Sequence, residues 1–244
     1  MIHHRVESRS AAWFYLRLGK PTASEFHRIV TPTGKNSTQA EDYAHRLLAE
    51  LMLGKPLDEG MQTEWMARGN DLEDSAIAAY EFQSGIETSL GGFCTDDTGS
   101  YGCSPDRLVG DVGVLELKCP APNTHVGYLD DPDSLTLAKK PQVQGLLLVT
   151  GREWCDLVSF HPELPTVIRR VKRDERYIDT LRVGLAAFCS QLLVMRANLE
   201  QRYGAFKPIV IPSEKAPSAP DPGPMGLSED DLDWWLSQHT KEPA

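Results

Sequence analysis

Three charged residues in the middle of the chain, Asp106, Glu116 and Lys118, could together form one chemical site. Glu116 and Lys118 are two residues apart in a segment typical of a β-strand, so their side chains are expected on one face. Leu115 and Leu117 then face the opposite side, towards a core. Burying charged groups is costly unless they are paired or bind a cation. A solvent-facing hairpin would explain the pattern, and a cation site would explain it better if Asp106 shared the face of Glu116.

The connection between the two strands decides whether Asp106 and Glu116 share a face. A two-residue turn would set position 106 opposite position 117, and the two carboxylates would then face opposite sides. A loop with an odd number of residues, or a bulge, would set 106 opposite 116 or 118. Gly110 and Gly113 suit a three-residue loop. We therefore predict odd pairing parity in this hairpin.

A pair of carboxylates on one face suits a hard divalent cation, since Mg²⁺ and Mn²⁺ prefer oxygen ligands and keep several waters. Such a cation polarises a phosphodiester and generates hydroxide at neutral pH. Lys118 beside it would position the attacking water and offset developing charge. The spacing alone leaves open both a cation site and an exposed hairpin with salt-bridged charges.

The order of motifs along the chain resembles a nuclease family. The central motif, Ser104-Pro105-Asp106 followed by Glu116-Leu117-Lys118-Cys119-Pro120, is similar to the signature of the PD-(D/E)xK nuclease superfamily. Further segments resemble the phage lambda exonuclease type, which includes the YqaJ-like viral recombinases and alkaline exonucleases. These segments are Trp13–Gly19 with Thr22–Glu25, Arg68–Gly69 with Glu73 and Ala76, and Gln142–Gln144 with Val149–Arg152. The resemblance covers roughly Trp13 to Glu200.

The resemblance implies a Mg²⁺ site in which Mn²⁺ could substitute. Asp106 and Glu116 would bind the metal through their carboxylates, and the Leu117 carbonyl would be a backbone ligand. Glu73 would be an outer ligand or a ligand of a second metal. Without the resemblance, Glu73 is an exposed acid on a helix.

The resemblance also indicates the residues that would handle the attacking water. Lys118 would position the water, and Gln142 would orient either the water or Lys118. Gln142 and Gln144 lie about 200° apart on a helix, so only one of them can face the site. We prefer Gln142, because positions 143, 146 and 147 form the apolar face, and Gln144 is the alternative.

A second set of residues is expected to hold the 5′-terminal phosphate of DNA. Thr22–Glu25 has the pattern of a capping box, which predicts a helix beginning there with Ser24 in its first turn. Free amides at a helix N-terminus attract anions, and Arg17 can bind a phosphate through two guanidinium nitrogens. The resemblance implies a pocket formed by Arg17 and Ser24, with Ser104 as a further contact. Without it, Ser24 is a capping residue and Ser104 shapes the turn before Pro105.

Trp65 and Met66 precede the segment that carries Glu73 and are unusually apolar for a loop. One interpretation is a loop tucked into the body of the protein. The other is a wedge that separates the strands at a duplex end, since inserted apolar side chains unstack bases. The sequence leaves both open.

Residues 1–211 alternate between helical and strand-like segments, which predicts one domain of the α/β or mixed α+β class with a central sheet flanked by helices. The resemblance implies a restriction-endonuclease-like PD-(D/E)xK core for it. The predicted strands are Gly91–Thr95, Tyr101–Val109, Val114–Cys119, Cys155–His161 and Thr166–Val171. The predicted helices, besides the one at Thr22, are Ala40–Leu53, Asp71–Gln83, Pro141–Gly151 and Asp174–Glu200.

The C-terminal part of the sequence differs from the rest in composition. Residues 212–226 include five prolines and predict a semi-extended linker. Residues 227–244 are acidic, with Leu232, Trp235 and Leu236 at helical spacing, and predict a short interaction helix. We expect that tail to dock on a neighbouring subunit or on a single-strand annealing protein, although it could also mimic DNA or lack order.

Composition is typical of a globular protein without a membrane span. The chain has 244 residues with 41% hydrophobic and 25% charged, ordinary values for a globular protein. Its longest apolar stretch without charge, Val183–Met195, is 13 residues, so we expect no membrane span. The N-terminal sequence lacks a secretory signal pattern. The five cysteines are odd in number and without CxxC spacing, which indicates reduced thiols in a cytoplasmic protein. The resemblance implies a bacterial, phage or prophage origin.

The resemblance therefore implies a Mg²⁺-dependent 5′→3′ exonuclease. It would degrade one strand of linear double-stranded DNA from its ends and leave a 3′ overhang for single-strand annealing recombination. Members of the family often form a trimeric ring, which would let a chain of net charge −10 enclose DNA in a locally basic channel. Two alternatives are an endonuclease or repair nuclease with the same core, and an inactive DNA-end-binding recombination protein.

Overall fold

The computed structural model describes residues 1–57, 72–207 and 209. The helices in this part are α1 (Ala11–Arg17), a 3₁₀ helix (Ala23–Arg28), α2 (Ala40–Leu53), α3 (Glu73–Ser84), α4 (Pro122–Asp130), α5 (Pro132–Ala138), α6 (Lys140–Thr150) and α7 (Glu175–Tyr203). The strands are β1 (Ile2–His4), β2 (Thr88–Leu90), β3 (Phe93–Thr95), β4 (Gly102–Cys103), β5 (Arg107–Val109), β6 (Gly113–Lys118), β7 (Trp154–Ser159) and β8 (Val167–Lys172).

The strands form two sheets. The larger sheet has the order β2-β5-β6-β7-β8, in which β6 and β7 are parallel and the other neighbours are antiparallel. The smaller sheet has the order β1-β3-β4. The chain passes from β6 to β7 through α4, α5 and α6, because parallel neighbours require a crossover connection. The mixed α+β class with a mixed sheet and flanking helices is thus confirmed.

Strand β6 is buried on both faces, and its alternation separates two apolar clusters. Val114 packs into the larger cluster, to which α2, α6 and α7 contribute. Leu115 and Leu117 pack on the opposite face against α3. Since side chains alternate along a strand, Glu116 and Lys118 share the face of Val114. The predicted alternation is confirmed, with Glu116 and Lys118 on one face and Leu115 and Leu117 on the other, although both faces are buried.

The β5–β6 hairpin has the loop length that the two glycines indicated. Arg107 pairs with Leu115 and Val109 with Gly113, which leaves the three-residue loop 110–112. Gly110 has φ 52°, a left-handed conformation that suits glycine. This register places position 106, just before β5, on line with position 116. The predicted odd pairing parity is therefore confirmed.

The predicted capping box is wrong. Thr22 precedes a 3₁₀ helix and makes no side-chain capping hydrogen bond. Glu25, which would complete the box, instead accepts a hydrogen bond from Arg28 Nε at 2.5 Å. The segment is one short 3₁₀ helix of 6 residues, so a helix N-terminus provides no anion site for Ser24.

The predicted strand Tyr101–Val109 is two strands in different sheets. Strand β4 pairs with β3, whereas β5 pairs with β2 and β6. The chain bends between them at Ser104-Pro105-Asp106, where proline cannot donate to a ladder. Gly91 packs against this bend so closely that a Cβ there would lie 1.8 Å from the Pro105 carbonyl oxygen. The bend is therefore held by packing as well as by proline.

Helix α7 is long and apolar enough to cross a membrane by length and composition. Asp174 caps its first turn by accepting a hydrogen bond from the Tyr177 amide at 3.1 Å. One face of the helix, including Ile178, Leu181 and Leu185, is buried in the larger cluster. The apolar composition of α7 thus serves core packing along that face.

Several predictions lie outside the described residues. These are the Trp65–Met66 wedge, the Arg68–Gly69 motif, the linker at 212–226 and the interaction helix at 227–244.

Candidate active site

Asp106 is held where the chain enters the larger sheet. It follows Pro105 at the bend, and its Oδ2 accepts a hydrogen bond from the Leu117 amide at 2.6 Å. This bond continues the pairing of β5 with β6 through a side chain. Burial raises the pKa of Asp106 well above its usual value, and the negative charge of Glu116 raises it further. A further positive charge at this site would therefore favour the ionised form of Asp106.

Glu116 has an unequal distribution of partners on its two carboxylate oxygens. Its Oε1 accepts hydrogen bonds from Lys118 Nζ and, at 2.5 Å, from Gln142 Nε2. Its Oε2 is buried and has no hydrogen-bond partner among the described residues. The residue is only 2% exposed, so this oxygen has little access to bulk solvent. An unpaired buried carboxylate oxygen is unfavourable unless a cation binds it.

Lys118 lies on the same face of β6 as Glu116 and forms an ion pair with it. Burial lowers the pKa of Lys118, but the charges of Glu116 and Asp106 outweigh burial, and the net shift is upward. Lys118 therefore carries a positive charge beside the two carboxylates.

The backbone of Leu117 is turned towards Asp106. The Lys118 carbonyl points towards the β7 side, where it accepts a hydrogen bond from the amide of Phe160, the residue after β7, at 2.8 Å. Successive residues of a strand point their backbone groups to opposite edges, and the N–H and C=O of one residue point to the same edge. The Leu117 carbonyl is therefore directed to the edge on which Asp106 lies, as a backbone ligand would require.

Helix α6 brings Gln142, and not Gln144, to the carboxylates. Gln142 donates to Glu116, as described above. Gln144 is buried elsewhere: its Nε2 donates to the Lys172 carbonyl and its Oε1 accepts from the Asp174 amide, both at 2.9 Å. Gln144 thus joins β8 to the start of α7 and does not reach the site, because the two glutamines lie on opposite faces of the helix.

Glu73 lies at the start of α3 and forms an ion pair with Arg9 at 2.7 Å. Its charge contributes to the raised pKa of Asp106, so it is near the site. No group of three or more His, Cys, Asp or Glu side chains in the described ranges is arranged to hold a metal. The structure pairs Glu73 with Arg9, and its role as an outer or second-metal ligand stays a prediction. No pattern in the sequence around Arg9 indicates that it would pair with Glu73.

Arg17 and Ser24 are connected through Thr22. The Arg17 guanidinium lies 4.0 Å from the centre of the Trp13 ring. Its Nη2 is 3.4 Å from Thr22 Oγ1, which is 3.3 Å from Ser24 Oγ. The structure thus brings together one cation and two hydroxyls, although the helix that begins at Ala23 is a short 3₁₀ helix and not the capped helix that the sequence predicted.

Ser104 joins this group through Trp13. The Trp13 indole N–H donates to Ser104 Oγ at 2.8 Å, and Ser104 Oγ donates to the Gly92 carbonyl at 2.7 Å. Trp13 therefore contacts both Arg17 and Ser104. Sequence reasoning included Trp13 only as part of a matching segment and missed this linking role.

The arrangement around Asp106 and Glu116 fits a hard divalent cation. All available donors are oxygens: two carboxylates and the Leu117 carbonyl. Glu116 Oε2, which has no partner within the described ranges, and the raised pKa of Asp106 are both unfavourable features that a cation would relieve. Mg²⁺ takes few protein ligands and keeps several waters, so a two-carboxylate site is sufficient.

The fold and this site define a protein with the lambda-exonuclease-like fold. The chain belongs to the family of the YqaJ-like viral recombinase domain, whose family model matches residues 12–153. This confirms the resemblance drawn from the sequence motifs. A search of curated proteins gives no match.

Solved structures with this fold include exonucleases. The chain is 30% identical to LHK-Exo in a complex with dAMP, with a TM-score of 0.71 over 79% of this chain and 97% of that chain. It is 29% identical to the alkaline exonuclease LHK-Exo from Laribacter hongkongensis, with a TM-score of 0.69 and the same coverage, 79% and 97%. A phage-related exonuclease from Haemophilus somnus 129PT is 16% identical, with a TM-score of 0.61 over 74% of this chain and 96% of that chain, and supports the fold alone.

Proposed function

We propose that this protein is a Mg²⁺-dependent exonuclease that degrades one strand of linear double-stranded DNA in the 5′→3′ direction. The product would be a 3′ overhang for single-strand annealing recombination. The observation that carries the proposal is the state of Glu116: one oxygen is fixed by Lys118 and Gln142, and the other is buried and has no hydrogen-bond partner in the described part of the chain. Family membership and the exonucleases of similar structure support the same chemistry.

Asp106 and Glu116 would hold the metal, with the Leu117 carbonyl as a further ligand. The bound cation would polarise the phosphate and lower the pKa of a bound water. Lys118 retains hydrogen-bond donors beyond the one used by Glu116, and these can hold the attacking water. Its positive charge also offsets the charge that develops on the phosphate oxygens. Gln142 fixes Glu116 and thereby keeps Lys118 in place.

The proposed polarity is supported by the Arg17–Thr22–Ser24 group. A guanidinium and two hydroxyls are the groups that typically bind phosphate oxygens. Stacking on Trp13 restricts the Arg17 guanidinium before any substrate arrives. A terminal 5′-phosphate bound there would set the direction in which the strand enters the Asp106–Glu116 pair.

The experiment is a cleavage assay on blunt linear duplex with each strand labelled separately. The duplex carries or lacks a 5′-phosphate, and the buffer contains Mg²⁺, Mn²⁺ or EDTA. We expect mononucleotides from the 5′-phosphorylated strand only when metal is present, and none from the Lys118→Ala variant. Cleavage of a covalently closed circle would instead support the endonuclease. Binding to ends without hydrolysis would support an inactive end-binding protein.

We further propose that the protein forms a homo-oligomer, a trimeric ring, and that residues 212–244 bind a single-strand annealing protein. The acidic, tryptophan-containing sequence of the tail supports the second proposal. Deleting residues 212–244 is expected to weaken binding of the annealing protein while nuclease activity on linear duplex persists. Unchanged partner affinity and unchanged oligomer size in the deletion variant would exclude a docking role for the tail.

A further inference from the structure

A cavity of about 840 Å³ adjoins the candidate active site. One wall consists of Ser24 and His27 from the 3₁₀ helix and most of the loop 31–39 that follows it. The other wall is the corner between α5 and α6, including Lys139 and Gln142. Gln142 lines the cavity and also donates to Glu116. The cavity therefore extends from Gln142, which contacts Glu116, to Ser24, the hydroxyl of the proposed phosphate pocket.

The lining of this cavity has an unusual composition for so acidic a chain. The chain contains 35 Asp and Glu residues, yet no acidic side chain lines the cavity within the described residues. The basic side chains are Lys35, Lys139 and His27. Most of the others are hydroxyls and amides, namely Ser24, Thr31, Thr33, Asn36, Ser37, Thr38, Gln39, Ser134 and Gln142. Lysine, hydroxyl and amide groups are the usual partners of a nucleic-acid backbone.

The loop wall is held in its conformation before any ligand binds. The Thr31 amide donates to the Lys35 carbonyl at 2.8 Å, and the Ser37 amide donates to the Ile29 carbonyl at 2.9 Å. The Tyr177 hydroxyl of α7 donates to the Thr31 carbonyl at 2.9 Å. Such a loop presents its side chains with little entropy left to lose on binding.

Lys139 is the basic residue of the cavity nearest the carboxylates. It is half-buried at the start of α6, three residues before Gln142. Burial and the charge of Lys118 lower its pKa, whereas Glu116 raises it, so its ammonium is within electrostatic range of both. In the part of the chain that the structure describes, the Lys139 ammonium makes no ion pair. Neighbouring Lys140 differs, because it pairs with Asp174 at 2.8 Å and lies 4.7 Å from the Tyr177 ring centre.

We propose that Lys139 is a further substrate-contacting residue, which binds a backbone phosphate of the DNA strand lying in this acid-free cavity, next to the bond broken at Asp106 and Glu116. The inference rests on the proposed nuclease function and deepens it. Recognition through the backbone is independent of base sequence, as a nuclease that removes one nucleotide after another requires. Lys35 would contact the same strand further from the carboxylates.

The test compares Lys139→Gln with its neighbour Lys140→Gln as the matched control, and with Lys139→Arg as a rescue. Steady-state degradation of 5′-phosphorylated linear duplex gives KM and kcat for each variant. We expect Lys139→Gln to raise KM about tenfold, as loss of a charged hydrogen bond does. Its kcat should change less, because the contact is made by bound substrate and transition state alike. Lys140→Gln should match the wild type, and Lys139→Arg should recover most of the loss.

Salt dependence provides a readout that a merely structural role would not change. The slope of log affinity for duplex DNA against log salt concentration should become shallower by about one in Lys139→Gln and stay unchanged in Lys140→Gln. Equal KM and equal slopes in the two glutamine variants would overturn the proposal for Lys139. If the wild type hydrolyses no DNA, the proposed function fails, and the binding slopes still decide whether Lys139 contacts DNA.

Discussion

Two buried carboxylates on neighbouring strands, Glu116 on β6 and Asp156 on β7, differ in how their charges are satisfied. Both are 2% exposed. Asp156 accepts from the Tyr80 hydroxyl at 2.7 Å and from Arg170 Nε and Nη2 at 2.8 and 2.7 Å. Glu116 has all its donors on one oxygen and none on the other within the described chain. A buried acid complete in its partners holds a fold together, whereas one left incomplete indicates a missing ligand.

The strongest test of this difference replaces Glu116 by its neutral isostere. Glu116→Gln keeps the shape and an oxygen that can accept from Lys118 and Gln142, but it removes the charge that would bind a cation. We expect nuclease activity on linear duplex to fall at least about 100-fold. The melting temperature should fall less than in Asp156→Asn, because Lys118 loses its ion pair with Glu116 but keeps the negative charge of Asp106 nearby. A large loss of stability in this variant would contradict the interpretation of Glu116 as an incomplete site.

The matched substitution on β7 is Asp156→Asn, for which we expect a loss of stability and little loss of activity. The amide group would face the donors of Tyr80 and Arg170, and Arg170 would lose its ion pair. We expect the free energy of unfolding to fall by roughly 3 kcal/mol in urea titration. Activity per folded molecule should be kept at a temperature well below the melting transition. An inactive but stable Asp156→Asn protein would contradict the assignment of Asp156 to stability and Glu116 to activity.

The two glutamines of α6 extend the comparison at smaller scale. Gln142→Ala removes a donor to Glu116 and should lower activity about tenfold with little loss of stability. Gln144→Ala removes both hydrogen bonds of a buried side chain and should lower the free energy of unfolding by about 2 kcal/mol while activity is retained. Cleavage rates measure the expected effects on activity, and urea titrations measure those on stability, for both variants. A reversed pattern would place Gln144, and not Gln142, in the mechanism.

Metal binding should have the smallest effect, visible as a rise in melting temperature. If Mg²⁺ binds the folded state alone, a tenfold excess over its Kd stabilises the protein by about 1.4 kcal/mol. Wild type and Asp156→Asn should both show the rise over an EDTA control, and Glu116→Gln should not. A rise of equal size in Glu116→Gln would place the cation elsewhere.

The sequence was most informative where local chemistry decides the structure. Periodicity and the following glycine gave α2 its bounds, Ala40–Leu53, since Gly54 takes the left-handed conformation that ends the helix. Gly110 and Gly113 indicated the loop length that aligns position 106 with 116. The relation of Gln142 to Gln144 followed from helical geometry. Each of these features depends on residues a few positions apart.

Features that depend on distant partners could not be predicted. Asp156 lies in a strand sequence without any sign that Tyr80, 76 residues earlier, completes its carboxylate. The Arg9–Glu73 pair spans 64 residues, and Trp13 reaches Ser104 across 91. The capping box failed for a related reason: Glu25 found a nearer partner in Arg28, and Thr22 turned towards Arg17. A local sequence pattern does not show which of several possible hydrogen-bond partners a side chain will take.

The bend at Ser104-Pro105-Asp106 also fixes a distance. Ser104 belongs to the Trp13–Arg17 group, and Asp106 is a proposed metal ligand two residues later. Two residues span at most about 7 Å, and the proline and the close contact of Gly91 prevent the chain from stretching or sliding there. Under the proposed function, the covalent backbone sets the distance between the group that binds the terminal phosphate and the carboxylate at the bond that is cut. The size of each released fragment is then set by the protein sequence and not by the DNA.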